Sequence, residues 1–104
     1  MTFRRRHRYA LFKVLSSSCL GEKDVREAIQ RSVLELFGIY GLSMIEPKVV
    51  EYDEKQCRGI VRCNHLHLPL LRASLASITT LDDKPVSFLV VKVSGTLKAL
   101  RRGS

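Results

Sequence analysis

Hydrophobic and polar residues alternate along four segments of the chain, and this period of two predicts four strands at residues 8–17, 45–53, 56–63 and 86–94. In the first strand, Phe12 and Val14 fall on one face and Leu11 falls on the other. The Glu54-Lys55 pair lies between the second and third strands and predicts the turn of a hairpin.

A period of 3.6 residues predicts two helices, the first from about Glu22 to Gly38 and the second over about 67–81. The first helix carries an apolar stripe formed by Val25, Ala28, Ile29, Val33, Leu36 and Phe37. The second would bury Leu71, Leu75 and Ile78. The resulting order, β-α-β-β-α-β, is typical of an α+β, ferredoxin-like or RRM-like split βαβ sandwich. We therefore expect a four-stranded antiparallel sheet with both helices on one face.

In this topology the first and third strands are central, and we expect the sheet face away from the helices to be open. The basic residues that would project from it are Lys13, Arg58, Arg62 and Lys92. The apolar residues expected among them, as contacts for a partner protein, are Leu11, Ile60 and Val90. A face that is basic and partly apolar is a docking surface for RNA or protein.

Charge is concentrated at the two ends of the chain. Eighteen Lys and Arg residues against ten Asp and Glu give a net charge of +8, yet residues 14–83 carry more acids than bases. A polyanion such as nucleic acid explains this distribution better than solubility does, because interspersed charge would serve solubility equally well. The chain divides into a basic arm (1–7), a domain (8–95) and a short basic tail (96–104). No apolar run reaches the roughly 20 residues of a membrane span, so no membrane partner is expected.

The third strand opens with Arg58-Gly59, like the corresponding strand of RNA-recognition modules, but lacks their stacking aromatic residues. Recognition of single-stranded RNA by base stacking is therefore disfavoured, whereas RNA binding through phosphates and shape stays open.

Cys57 and Cys63 lie too far apart on one extended run for a disulfide. With Cys19 the count is odd, which favours reduced intracellular thiols. We expect a cytoplasmic protein.

The turn Ser94-Gly95-Thr96 ends the last strand, and Ser94 or Thr96 is a candidate cap for a short helix whose amides would suit a phosphate. In such a helix Lys98, Arg101 and Arg102 share one face, and Leu97 and Leu100 lie on another. The alternative is a frayed basic tail.

His65 and His67 have no further ligand at metal-binding spacing and are interpreted as loop residues. No acid and base pair points to catalysis by the protein itself.

Three motifs carry a family resemblance. They are Arg6-His7-Arg8-Tyr9 leading into Leu11-Phe12-Lys13-Val14; Tyr52-Asp53 followed by Gly59-Ile60-Val61-Arg62-Cys63; and Val93-Ser94-Gly95-Thr96-Leu97-Lys98. Together they resemble the archaeal and eukaryotic Pop-five family of ribonuclease P proteins, in order and spacing, over residues 6–102. The compact length is similar to archaeal members. The tail is shorter than in many members, which carry a further C-terminal helix.

The resemblance implies a protein subunit of the ribonucleoprotein endonuclease that removes 5′ leaders from precursor tRNA. In that family the RNA performs the hydrolysis with Mg²⁺, so no catalytic residue, metal or cofactor is expected on the chain. The implied partners are the catalytic RNA, precursor tRNA indirectly, and a TIM-barrel-like protein subunit, with a homodimer left open. Charge and resemblance together select these residues for RNA binding: Arg4, Arg5, Arg6, Arg8, Tyr9, Lys13, Arg58, Arg62, Lys92, Ser94, Gly95, Thr96, Lys98, Arg101 and Arg102.

Two other functions stay open from the residues alone. A stand-alone RNA- or ribosome-binding module would bind RNA without affecting leader removal. A small ligand-sensing domain would have a small-molecule pocket and would bind its ligand independently of salt.

Overall fold

A computed structural model describes residues 6–102, apart from the side chain of Arg102. The elements along the chain are β1 (His7–Ser16), α1 (Glu22–Ile45), β2 (Lys48–Asp53), β3 (Arg58–Asn64), α2 (Leu68–Ala76), β4 (Thr80–Leu81), β5 (Lys84–Ser94) and α3 (Leu97–Arg102). A short 3-10 turn, His65–His67, precedes α2. The strands form an antiparallel sheet in the order β2-β3-β1-β5-β4. The α+β, ferredoxin-like prediction is confirmed, with a fifth strand added at one edge.

The fifth strand replaces the end of the predicted second helix. α2 ends at Ala76 rather than near residue 81, and Thr80–Leu81 pairs with the start of β5. Asp82 and Asp83 make the tight turn between β4 and β5, with φ values of 52° and 64°. Two successive residues with positive φ match the right-handed twist of a hairpin, and Asp tolerates this conformation better than most residues do.

The first helix is longer than predicted and is interrupted at its predicted end. Gly38 leaves helical geometry, with φ 71° and ψ −175°, and a further helical segment then runs to Ile45. Only glycine adopts these dihedral angles readily. Leu36, which was expected in the buried stripe, lies two residues before this interruption and is about half exposed.

The main core lies between the sheet and the helices α1 and α2. Phe12 is at its centre, with its ring centroid 6.3 Å from that of Tyr52 and 5.8 Å from that of Phe88. Gly59 makes room for this ring, because a Cβ atom there would lie 2.8 Å from Phe12 and 2.7 Å from a backbone carbonyl oxygen of β2. A side chain at position 59 would therefore displace the core or the sheet.

The loop between β1 and α1 is held against the β2–β3 turn. A disulfide joins Cys19 to Cys57, whose Cα atoms are 5.7 Å apart, so the expectation that all three cysteines are free thiols is wrong. The Glu54 carboxylate accepts a hydrogen bond of 3.0 Å from the backbone N–H of Glu22 and so caps α1 from outside the helix. Cys63 is a free, buried thiol, and burial raises its pKa to about 11.

Candidate nucleic-acid interface

The basic residues predicted for the outer sheet face do share that face. In the strand register Lys13 lies opposite Arg58, Tyr9 lies opposite Arg62, and Lys92 lies opposite Leu11. Directly opposed residues of antiparallel strands project to the same side of a sheet. Lys13 and Lys92 are exposed, whereas Arg58 is partly buried. The strands therefore bring these cations, which are distant in sequence, onto one surface.

Two of these cations face each other directly. Lys13 and Arg58 form a cross-strand pair of like charge, an arrangement that destabilises a sheet in the absence of an anion. Asp53 lies on the other side of Arg58, and its Oδ1 accepts hydrogen bonds from the backbone N–H groups of Lys55 (2.9 Å) and Gln56 (3.3 Å). Its carboxylate offsets one of the two positive charges, so the row of Lys13, Arg58 and Asp53 keeps a net charge of +1 that an anionic group could neutralise.

Arg62 on β3 is partly buried. Its Nε atom is buried and has no hydrogen-bond partner among the described residues. Tyr9, directly opposite on β1, is partly buried and packs beside the small cluster on this face. A buried donor without a partner is unusual in a folded protein, and this atom is covered by the chain itself rather than open to a bound group.

The outer face is not open along its full length, as the sequence predicted, because α3 covers part of it. Leu100 is 1% exposed and packs on Leu11 and Ile60, with Leu97 at the margin of this cluster. Leu11 and Ile60 are therefore buried within the chain, and the expectation that they offer an open surface to a partner is wrong. The covering requires a non-local contact between the C-terminus and the sheet, which the spacing of Leu97 and Leu100 does not reveal.

Val90 is also displaced from its predicted position. The pairing of β1 with β5 shifts between Leu11 and Phe12, so that Val90 lies opposite Phe12 and packs against the main core. The expectation that Val90 projects from the outer face is wrong, since a β-bulge reverses the alternation on one side of it. The large apolar residues exposed on β1 and β5 are instead Leu15, Leu89 and Val91.

The turn after β5 forms a capped helix, so the frayed-tail alternative does not hold for residues 97–102. Thr96 Oγ1 accepts a hydrogen bond of 3.3 Å from the backbone N–H of Ala99, and Ser94 Oγ accepts one of 3.2 Å from that of Thr96. These bonds satisfy two of the amides that the sequence offered to a phosphate. Any anion near this turn would therefore be held mainly by side chains.

Arg8 reaches this turn from the other end of the chain. Its Nη1 atom lies 2.8 Å from the position that a Cβ atom at Gly95 would occupy. Gly95 has no positive φ, and the atom that faces it is the far end of the flexible Arg8 side chain, so neither feature requires a glycine here. The structure thus brings Arg8 and the Ser94–Thr96 turn together.

The remaining predicted cations have different surroundings. The guanidinium of Arg101 forms an ion pair with the carboxylate of Glu51 on β2, whereas Lys98 is exposed. Arg6 contributes its carbonyl oxygen, which accepts a hydrogen bond of 3.1 Å from the backbone N–H of His65. Arg4, Arg5 and the side chain of Arg102 lie outside the described part of the chain.

The shifted pKa of Tyr52 is explained by its structural position. Burial, with smaller effects from Glu54 and Asp53, raises the pKa of Tyr52, whose hydroxyl donates a hydrogen bond of 2.9 Å to the carbonyl of Leu20. This tyrosine therefore ties the β2 strand to the β1–α1 loop.

Residues 6–102 contain no group of three His, Cys, Asp or Glu side chains placed to hold a metal ion. Within the same range no helix is long and apolar enough to cross a membrane.

Within residues 6–102 these features define an α+β fold of the ferredoxin-like class with a basic outer sheet face that a short helix, α3, partly covers. Residues 8–103 match the model of the Rpp14/Pop5 family. Because the match spans nearly the whole chain, the protein belongs to this family, as the motif resemblance implied.

Individual relatives agree with this assignment. The chain is 33% identical over 101 residues to ribonuclease P protein component 2 of Thermococcus gammatolerans, covering 97% of this chain and 84% of that protein. It is 37% identical over 97 residues to ribonuclease P protein component 2 of Methanocaldococcus jannaschii, covering 93% and 71%. A chain in the cryo-EM structure of yeast ribonuclease MRP has the same fold, with a TM-score of 0.74 at 16% identity, covering 93% of this chain and 79% of that one.

Proposed function

We propose that this chain is a protein subunit of ribonuclease P that binds and stabilises the catalytic RNA for removal of 5′ leaders from precursor tRNA. The observation that carries the proposal is the match to the Rpp14/Pop5 family over residues 8–103. The relatives named ribonuclease P protein component 2 support the same assignment.

The outer sheet face supplies the chemistry for RNA binding. Lys13 and Arg58 form one row of the contact, and Arg62 lies on the other side of the Leu11–Ile60 row that Leu100 covers. Lys92 on β5 projects from the same face opposite Leu11. Arg8 and Lys98 extend the cationic surface around the turn after β5. Such contacts engage phosphates and position the RNA without reading its sequence.

Hydrolysis belongs to the RNA and its Mg²⁺ in this proposal, and the chain holds no cofactor of its own. The holoenzyme is cytoplasmic, and a TIM-barrel-like protein subunit is the proposed protein partner. Exposed apolar side chains outside the RNA surface, Ile39 and Tyr40 on the second segment of α1, are consistent with a further protein contact. Gel filtration of the two co-expressed subunits tests the pairing, and elution as separate species at micromolar concentration contradicts it.

Salt dependence of RNA binding tests the proposed surface directly. Each phosphate contact adds a log–log salt slope of about 0.7 to 0.9, so Lys13→Gln with Arg58→Gln is expected to reduce the slope by about 1.5. Lys23→Gln with Arg31→Gln removes the same charge from the exposed side of α1 and is the matched control. An equal reduction in both double variants would mean that only the net charge matters, and the assignment of the sheet face would be wrong.

A further inference from the structure

A cavity of about 320 Å³ opens on the outer sheet face between α3 and the end of the β2–β3 hairpin. Leu11, Ile60 and Leu100 line it with apolar atoms. We propose that this cavity binds one unstacked nucleobase of the RNA, an inference that rests on the proposed function and adds a base-binding site to it.

The size of the cavity admits a single ring system. Ligand cavities span about 300 to 1,000 Å³, and this one, at the small end of the range, has room for a base. A base that leaves its stack exposes two apolar faces to water, but Leu11, Ile60 and Leu100 are 7%, 4% and 1% exposed and form only the closed floor of the cavity. A base would therefore contact mainly the residues at the walls, among them Tyr52, Gln56 and Arg58.

The charges that line the cavity favour an uncharged occupant. Glu51 and Asp53 balance Arg58 and Arg101, and the Glu51 carboxylate is already paired with the guanidinium of Arg101. A phosphate would gain little inside such a neutral site. Gln56 also lines the cavity, and its side-chain amide both donates and accepts hydrogen bonds, as the edges of bases do.

The neighbouring cations indicate where the rest of the nucleotide would lie. Arg58 lines the cavity, and Lys13 lies directly opposite it on β1, so two positive charges meet at this side. With Arg58 balanced by Asp53, the excess positive charge at this side is that of the exposed Lys13. A nucleotide with its base in the cavity would place a backbone phosphate near Lys13, whereas an uncharged side chain from a partner protein would gain nothing from this charge, which favours RNA as the occupant.

Mononucleotides test the site without the other RNA contacts. Methyl NMR of the full chain is recorded with up to 10 mM of AMP, GMP, CMP or UMP, and with ribose 5-phosphate as the ligand that lacks a base. Nucleotides are expected to shift the methyl signals of Leu11, Ile60 and Leu100, and ribose 5-phosphate is not. The proposal is overturned if no nucleotide shifts these signals, or if ribose 5-phosphate shifts them equally.

A variant that fills the cavity extends the test to the catalytic RNA. Gln56 is exposed at its rim, so Gln56→Trp is expected to leave the fold intact, occupy the cavity and weaken RNA binding about fivefold or more. Leu34→Trp, at an exposed position of α1, is the matched control because it also leaves the net charge unchanged, and it should bind RNA normally.

The outcomes separate this inference from the proposed function. If Gln56→Trp binds RNA as the parent chain does, while the Lys13 and Arg58 substitutions still reduce the salt slope, the base site is wrong and the RNA-binding function stands. Loss of a protein subunit from the complex with unchanged RNA affinity would identify a protein docking site, which also overturns the proposal.

Discussion

Replacing Leu100 by alanine tests whether α3 is a packed element of the fold. The Leu100 side chain is 1% exposed and contacts Leu11 and Ile60 on the outer sheet face. Truncation of a buried leucine costs about 2 to 5 kcal/mol when the element that carries it stays in place. A six-residue helix is too short to be stable alone, so α3 would detach instead once its main contact is lost.

If α3 detaches, the loss of stability in Leu100→Ala is limited to the free energy with which α3 docks on the sheet. The exposed ion pair between Arg101 and Glu51 adds about 0 to 1 kcal/mol, so Leu100 supplies most of this docking energy. We therefore expect Leu100→Ala to lower the free energy of unfolding by about 2 kcal/mol, at the lower end of the range for buried leucines. The corresponding fall in Tm is about 10 °C for a domain of this size.

Urea unfolding followed by circular dichroism measures the loss. Leu89→Ala is the control because Leu89 lies on the same sheet face but is 52% exposed, and its truncation should cost less than about 0.5 kcal/mol. If Leu100→Ala costs no more than Leu89→Ala, α3 does not pack on the sheet. In that case the cavity beside it does not exist in the form described.

Three further predictions follow from the core and the cysteines. Gly59→Ala places a Cβ atom 2.7 Å from a backbone carbonyl oxygen, so it should lower the free energy of unfolding in urea by about 1 to 3 kcal/mol. Gly95→Ala is the control and should be tolerated, because the atom facing Gly95 is the end of a flexible side chain. Equal losses in the two variants would contradict the close packing described at Gly59. Unfolded but unreduced protein should titrate one thiol, and reduced protein three; three without reductant would exclude the Cys19–Cys57 disulfide. Native Cys63 should resist alkylation at pH 8, because burial raises its pKa to about 11, and rapid labelling would show that the site opens.

The elements that were predicted correctly are those whose signal is local. Phe12 and Val14 alternate with Leu11 along one strand, and Leu71 and Leu75 repeat at helical spacing, so each pattern reports its own buried face. The basic face followed from the same alternation once the strand order was known. Thr96 was recognised as a candidate cap because a cap and the amide it satisfies are three residues apart.

The features that were missed depend on contacts between distant residues. Glu54 caps α1 across 32 residues, and Cys19 meets Cys57 across 38, separations at which spacing carries no information. The bulge that turns Val90 inward arises from the pairing of β1 with β5 and leaves no mark in the alternation of β5 itself.

The candidate site was only partly predictable for the same reason. The cations of the outer face were identified from the strand pattern, but the cavity needs α3 to fold back over Leu11 and Ile60. The folding back of α3 depends on burial of Leu100. The amphipathic pattern of six residues near a basic end is too short to predict that burial.

Leader removal in a reconstituted enzyme is the most direct measurement of the central claim. The catalytic RNA, the other protein subunits and Mg²⁺ are assembled with and without this chain, and the rate of 5′ leader release from precursor tRNA is compared. The chain alone is expected to release no leader, and its addition to the assembly is expected to raise the rate, less so with Lys13→Gln and Arg58→Gln together. An RNA-binding chain that leaves the rate unchanged would contradict the account and identify a stand-alone RNA-binding module instead.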